Sequence, residues 1–231
     1  ADHPGLAGER GHQPSATPRQ ADYAFTVLAR VVSWAFDRGL VLANPLERAG
    51  RLYRGTRADK IWTVDDEVAL LAKASPELRL AFIFALYTGQ RQGDLLRLPW
   101  SAYDGERVRL RQNKTGARVS IPVHSTLRQA LETAPRCSPV ILTNSAGRPW
   151  TSAGFSSSWR KLVKRAGIEG LTFNDIRGTA VTRLALAGCD HALISAITGH
   201  TMGQVGAILD HHYISRTAIL ADEAIANLEA N

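Results

Sequence analysis

The stretch PELRLAFIFALYTG, residues 76–89, limits the fold most. As a helix it carries Leu78, Leu80, Ala81, Phe82, Ile83, Phe84, Ala85 and Leu86, so apolar side chains fall on nearly every side. A helix of that kind is stable in water only when other elements enclose it. Ser75-Pro76 supplies its start and Thr88-Gly89 its stop. The remainder must therefore provide a shell. At 231 residues and 45% hydrophobic the chain can do so, as one large domain or a medium domain with a smaller one attached.

The shell is mostly helical. Residues 1–16 are rich in Pro, Gly, His and small polar residues and read as a flexible end. Thr17-Pro18 then caps an amphipathic helix with Leu28, Val31, Val32, Ala35 and Phe36 on one face, closed by Gly39 and by Asn44-Pro45. Alone, that helix cannot bury its stripe. A basic connector follows, LERAGRLYRGTRADK, with Arg48, Arg51, Arg54, Arg57 and Lys60. It fits either a solvated linker or a strap that contacts phosphates. Thr63 and Asp66 form a capping box ahead of VALLAKA. Past the central helix, a short helix carries Asp94, Leu95 and Leu96.

The period then drops to two. Val108 and Leu110, and again Val119, Ile121 and Val123, alternate with polar residues around an Asn113–Gly116 turn, which predicts a β-hairpin. Helical patterns return over 125–133, 152–166, 174–187, 191–198 and 216–229. In the third of these, Ile176, Ala180, Leu184 and Ala187 form the expected buried stripe. The fold class is mainly α with a small antiparallel β-sheet (α+β).

Charge points outward to a partner. Lysine and arginine number 28 against 21 acidic residues, a net +7. Such a balance suits a polyanion, and arginine's planar fork matches phosphate oxygens. Two cysteines, Cys137 and Cys189, are too few for a disulfide framework and lack CxxC spacing, which fits a reducing cytoplasm. No apolar run reaches membrane-spanning length, and the first residues lack the order of a signal peptide.

Six polar side chains stand at conspicuous places. Arg91 follows a glycine break, Lys114 sits at the hairpin tip, and Asn174 and Arg177 lie three apart at a helix start. His200 follows a capping Gly199, and Tyr213 comes thirteen residues later. Singly, each has an ordinary reading: a surface arginine, a solvated lysine, a structural histidine, a core tyrosine. In order, TGQRxxDLLxL, KTG, NDIRGTAVTxLxxxG, ITGH and then Tyr resemble the tyrosine recombinase (phage integrase) family over residues 58–225. Residues 17–57 look like the last part of a core-binding, SAM-like helical domain. The resemblance thus divides the chain into 1–57, a flexible end with a partial core-binding segment and basic linker, and 58–231, the catalytic domain.

The resemblance implies a site-specific DNA strand transferase, borne by a prophage or mobile element. Arg91 and Arg177 would clamp the scissile phosphate and Tyr213 would attack it, leaving a 3′-phosphotyrosine. Lys114 would protonate the departing 5′-oxygen and His200 would donate a hydrogen bond to the phosphate. Asp94 would hold its neighbours in place. No metal or cofactor is implied. The implied partners are double-stranded DNA attachment sites and accessory DNA-bending proteins, with a monomer in solution, a tetramer on synapsed DNA, a cytoplasmic, nucleoid-associated location and no membrane.

Two departures stand out. Asn174 occupies the place of the family's usual histidine; it can donate a hydrogen bond but cannot shuttle a proton. The step from His200 to Tyr213 is long for the family, which predicts an extra helical turn or a loop. Two other readings compete: a DNA-binding relic in which Asn174 marks decay, and a metal hydrolase built on His200, Asp210, His211 and His212. Adjacent ligands on a helix diverge, which counts against the second. Retention of five scattered polar groups counts against the first.

Overall fold

A computed structural model describes residues 18–47, 50, 52, 57, 60–213 and 225, with residues 211–213 placed as backbone. The chain divides into two compact units, Ala1–Thr56 and Arg57–Asn231.

The first unit contains α1, Pro18–Asp37, which buries none of its residues. Leu28, Val31 and Phe36 on its apolar face are 46–56% exposed. The Thr17 cap lies outside the described residues.

In the second unit the order is α2 (Val64–Lys73), α3 (Pro76–Thr88), α4 (Gln92–Leu95), β1 (Arg107–Arg111), β2 (Arg118–Pro122), α5 (Ser125–Glu132), α6 (Ser152–Arg165), α7 (Asp175–Leu186), α8 (His191–Thr198) and α9 (Met202–Tyr213). The capping box forms reciprocally: the Asp66 amide donates to Thr63 Oγ1 at 3.2 Å and the Thr63 amide to Asp66 Oδ2 at 3.0 Å. The central helix is α3. It packs on α7 and α5, and its Phe82, Phe84 and Ala81 are fully buried. Around it, Trp62, Phe155, Trp159 and Phe173 complete an aromatic core, with Trp159 and Phe173 edge to face at 4.8 Å. The β1–β2 hairpin is antiparallel, with Val108 opposite Ile121 and Arg111 opposite Arg118.

A second, smaller cluster positions the far side of the site. Val181 of α7, Ile194 of α8, and Val205 and Leu209 of α9 close on one another, and all four are buried. The expected α7 stripe is thereby corrected at its end. Ile176 and Ala180 are buried and Leu184 is half-buried, but Ala187 is exposed. It lies past the last helical residue, where the chain turns through Gly188 at φ 80°.

The connector yields a finding of its own. Arg57 reaches across to the start of α7, where its Nε donates to Asp175 Oδ1 at 2.9 Å and an NH2 donates to the Gly170 carbonyl at 2.7 Å. Asp175 also accepts from the Thr172 amide and hydroxyl. Neither a solvated linker nor a phosphate strap describes Arg57. It anchors α7, the helix that carries Arg177. Arg48, Arg51 and Arg54 lie outside the described residues, as does the helix expected over 216–229 apart from Ile225.

Candidate active site

The chain of α3 and its exit loop delivers Arg91. The helix ends on Gly89, whose φ of 62° is one that side chains disfavour and glycine accepts. A Cβ there would also meet the Thr198 methyl at 2.8 Å. The close approach of α3's end to α8's end thus requires glycine. Two residues later Arg91 occupies the N-cap of α4 with extended backbone, and its NH1 donates to Gln112 Oε1 at 2.8 Å.

Arg177 comes from the first turn of α7 and is buried. Its NH1 donates to the carbonyls of Gly89 and of Thr198, the latter at 2.7 Å, and its Nε donates to His200 Nε2 at 2.9 Å. Its NH2 is buried with no partner. Burial, then the positive charge of Arg91, lowers its pKa to about 9 against the opposing pull of Asp94; it stays protonated at neutral pH. Among the described residues neither arginine makes an ion pair with a carboxylate. Two guanidinium charges thus stand together on neutral acceptors, with one buried donor unused. A buried donor without a partner is costly, and an incoming oxyanion would satisfy it.

His200 follows α8's left-handed cap, Gly199 at φ 66°. There α8 and α9 bend by 109°. Its ring is held at both nitrogens: Nε2 accepts from Arg177, and Nδ1 lies 2.9 Å from Thr198 Oγ1. An Nε2 that accepts fixes the Nδ1–H tautomer. Burial first, then the charges of Arg177 and Arg91, lowers the His200 pKa to about 3, so the ring is neutral. In this arrangement the ring donates to Thr198 and offers no outward N–H. The donor role expected for it requires Nε2 to leave Arg177.

Asp94 of α4 is buried, and its Oδ1 accepts from the Asn113 amide at 3.0 Å, immediately before Lys114. Lys114 is exposed in the turn that joins the strands, a turn closed by Gly116 donating to the Gln112 carbonyl at 2.8 Å. Asn174 is exposed at the N-cap of α7 and makes no side-chain capping bond. Tyr213 is the last residue of α9. The long step from His200 is therefore one continuous helix, with no loop before the tyrosine. The side chains of His211, His212 and Tyr213 lie outside the described residues. Among the described residues no three His, Cys, Asp or Glu side chains come together to hold a metal.

Sequence reasoning missed Gln90, Gln112 and Thr198, the buried polar residues that hold this site. One signal was present: Gln112 continues the inward period of Val108 and Leu110, and a polar residue in that register requires partners.

Comparison with known proteins adds the family. Residues 58–216 match the model of the phage integrase family. The shufflon-specific DNA recombinase of Escherichia coli is 29% identical over 170 residues, 70% of this chain and 42% of that protein. The prophage integrase IntR of Escherichia coli K12 is 24% identical, covering 97% of this chain and 64% of that protein. The chain thus spans roughly half the length of these curated relatives. Among solved structures, a lambda integrase dimer bound to a COC′ core site superposes with a TM-score of 0.69 at 21% identity, over 80% of this chain and 72% of that one. The Tn1549 transposon integrase in complex with a circular intermediate DNA gives 0.67 at 17% identity, over 84% and 74%. The mostly helical fold with its β1–β2 hairpin is thus that of integrase catalytic domains, and with a family match over more than half its length, this chain belongs to the phage integrase family.

Proposed function

We propose that this chain cleaves and rejoins double-stranded DNA at specific sites through a 3′-phosphotyrosine, as an integrase of a prophage or mobile element. The observation that carries the reading is the pair Arg91 and Arg177. Both are charged, neither meets a carboxylate among the described residues, and Arg177 NH2 is buried without a partner. That is a receptor for the non-bridging oxygens of one phosphodiester.

The reaction balances without a cofactor. The Tyr213 oxygen forms a bond to phosphorus as its proton passes to water, and the phosphorus–5′-oxygen bond breaks. Lys114, on the exposed hairpin turn, gives its proton to that oxygen. Positioned acids of this kind contribute about 10²–10⁴-fold. Because the phosphotyrosine is a diester like the bond it replaces, attack by another 5′-hydroxyl reverses the step without ATP. The arginines supply the charge that a metal supplies elsewhere. Asn174, on the N-terminal turn beside Arg177, adds a neutral donor. Residues 1–57 are read as the end of a core-binding domain with its linker, and the active assembly as a tetramer on two paired sites.

A library of nicked duplexes with randomised sequence around the nick tests this, since the nick lets the short fragment that carries the new 5′-hydroxyl escape and traps the adduct. With chelator present, covalent protein–DNA adducts are expected from the parent and none from Tyr213→Phe. DNA binding without adducts would instead favour a relic that holds DNA and cannot cut it.

A further inference from the structure

Gln112 is fully buried at the base of the hairpin, and its amide is used at both ends. Oε1 accepts from Arg91 NH1 at 2.8 Å and from Thr115 Oγ1 at 2.9 Å. Nε2 donates to the Thr198 carbonyl at 2.8 Å and to Gln90 Oε1 at 2.7 Å. The same Thr198 carbonyl accepts from Arg177 NH1 at 2.7 Å. A continuous path therefore runs from Arg91 through the Gln112 amide to the Thr198 carbonyl and on to Arg177.

Two further features hold that path in one arrangement. Gln90 Nε2 donates to the carbonyls of Thr88 and Ile197 at 2.9 and 3.0 Å, so its Oε1 must face Gln112 and set the orientation of that amide. Gly199 leaves the room, because a Cβ there would lie 2.4 Å from Gln112 Nε2. Among side chains of this length only an amide accepts from a cation at one atom and donates to a carbonyl at the other. Glutamate cannot donate, and lysine cannot accept.

We infer that Gln112 is a positioning residue that sets the placement of the Arg91 guanidinium relative to Arg177 and so builds the phosphate clamp. It does not touch DNA, since none of its surface is exposed. The inference rests on the reading of the two arginines as that clamp. Like charges held side by side repel, and Gln112 Oε1 is the acceptor that keeps Arg91 in place. Removing it frees the guanidinium to swing toward solvent.

The test is a double-mutant cycle on the 231-residue chain, with a nicked duplex recovered from the randomised library as probe. Gln112→Met keeps the volume and makes none of the four bonds; Gln112→Ala is the second variant should methionine not fold there, and thermal midpoints are recorded for each. At saturating DNA, Gln112→Met is expected to slow single-turnover adduct formation about 30-fold while its Kd for the duplex stays within about twofold of the parent. In an Arg91→Ala background the same substitution is expected to cost nothing further, because its effect passes through Arg91. Losses that multiply in the double variant, or a Kd that weakens in step with the rate, overturn the inference and leave the clamp standing. An Arg91→Ala chain that forms adducts at the parent rate brings down the clamp reading itself.

Discussion

In the proposed reaction, Asn174 is where the chain departs from the pattern that the family resemblance implies. An amide on the exposed N-cap of α7 can hold a phosphate oxygen by a hydrogen bond, but it has no proton to exchange at neutral pH. If the clamp is otherwise complete, the missing acid–base help makes cleavage slower than in a histidine-bearing site, by about tenfold. Asn174→His is therefore expected to raise the single-turnover rate by about that factor; an unchanged rate sinks the proton-shuttle argument. His200 poses a separate question of stability. Its folded pKa, about 3, lies below the ordinary 6.5, so between those values the unfolded chain binds a proton that the folded chain refuses. The unfolded state is then favoured as pH falls from 6.5, and stability rises with pH through the window. His200→Gln removes this titration. Urea unfolding from pH 6.5 to 4.5 should show the parent losing stability more steeply than the variant, by at most about 1.4 kcal/mol per pH unit for one proton. Parallel curves would mean that the ring is not held neutral.

At the scale of elements, much of the fold is legible because local chemistry decides it. Thr63, Pro76 and Gly199 mark helix ends in sequence and mark them again in space, and an all-round apolar segment became the central α3. What was not legible depends on distant pairings. Arg57 meets Asp175 across 118 residues, and nothing in LERAGRLYRGTRADK distinguishes that arginine from its neighbours. The helix α9 was hidden by Gly203 and Gly206, which weaken helix propensity; packing of Val205 and Leu209 on α7 and α8 overrides them. Candidate site positions followed the same division: caps and turns announced Arg91, Lys114 and His200, whereas Gln90 looked like an ordinary polar residue and Gln112 was marked only by the inward period of its strand. Gly199 joins both levels, being a helix stop and the space for Gln112. Gly199→Ala must adopt a left-handed backbone, at about 1–2 kcal/mol, and also push the Gln112 amide by a distance that buried packing resists. It is expected to lose more stability than Gly188→Ala, which is also left-handed but opens on space. Equal losses by urea unfolding would show that the amide yields freely.

For the whole molecule the question is how +7 is distributed between folding and the DNA that the proposed function requires. Several arginines of the second unit are occupied by the fold itself: Arg57 by Asp175, Arg183 by Glu67 and Arg109 by Asp104. Those charges contribute little to a polyanion partner. On the proposed reading Arg91 and Arg177 serve one phosphate, which by itself would confer only a shallow salt dependence. A chain that grips duplex DNA needs more contacts, and the connector between the two units is the richest remaining stretch in sequence, with Arg48, Arg51 and Arg54 spaced every third residue. If these three contact phosphates, each releases a condensed counterion on binding, and log K falls against log salt by about 0.9 for each. The triple variant Arg48→Ala, Arg51→Ala, Arg54→Ala should therefore bind a nicked duplex with a slope shallower by about 2 to 3, measured by anisotropy between 50 and 200 mM salt. Arg57→Ala, in contrast, should leave the slope nearly unchanged and lower the unfolding midpoint, because its charge is already committed to α7. A triple variant with the parental slope would place the connector off the DNA and require the remaining contacts to come from the exposed faces of the second unit.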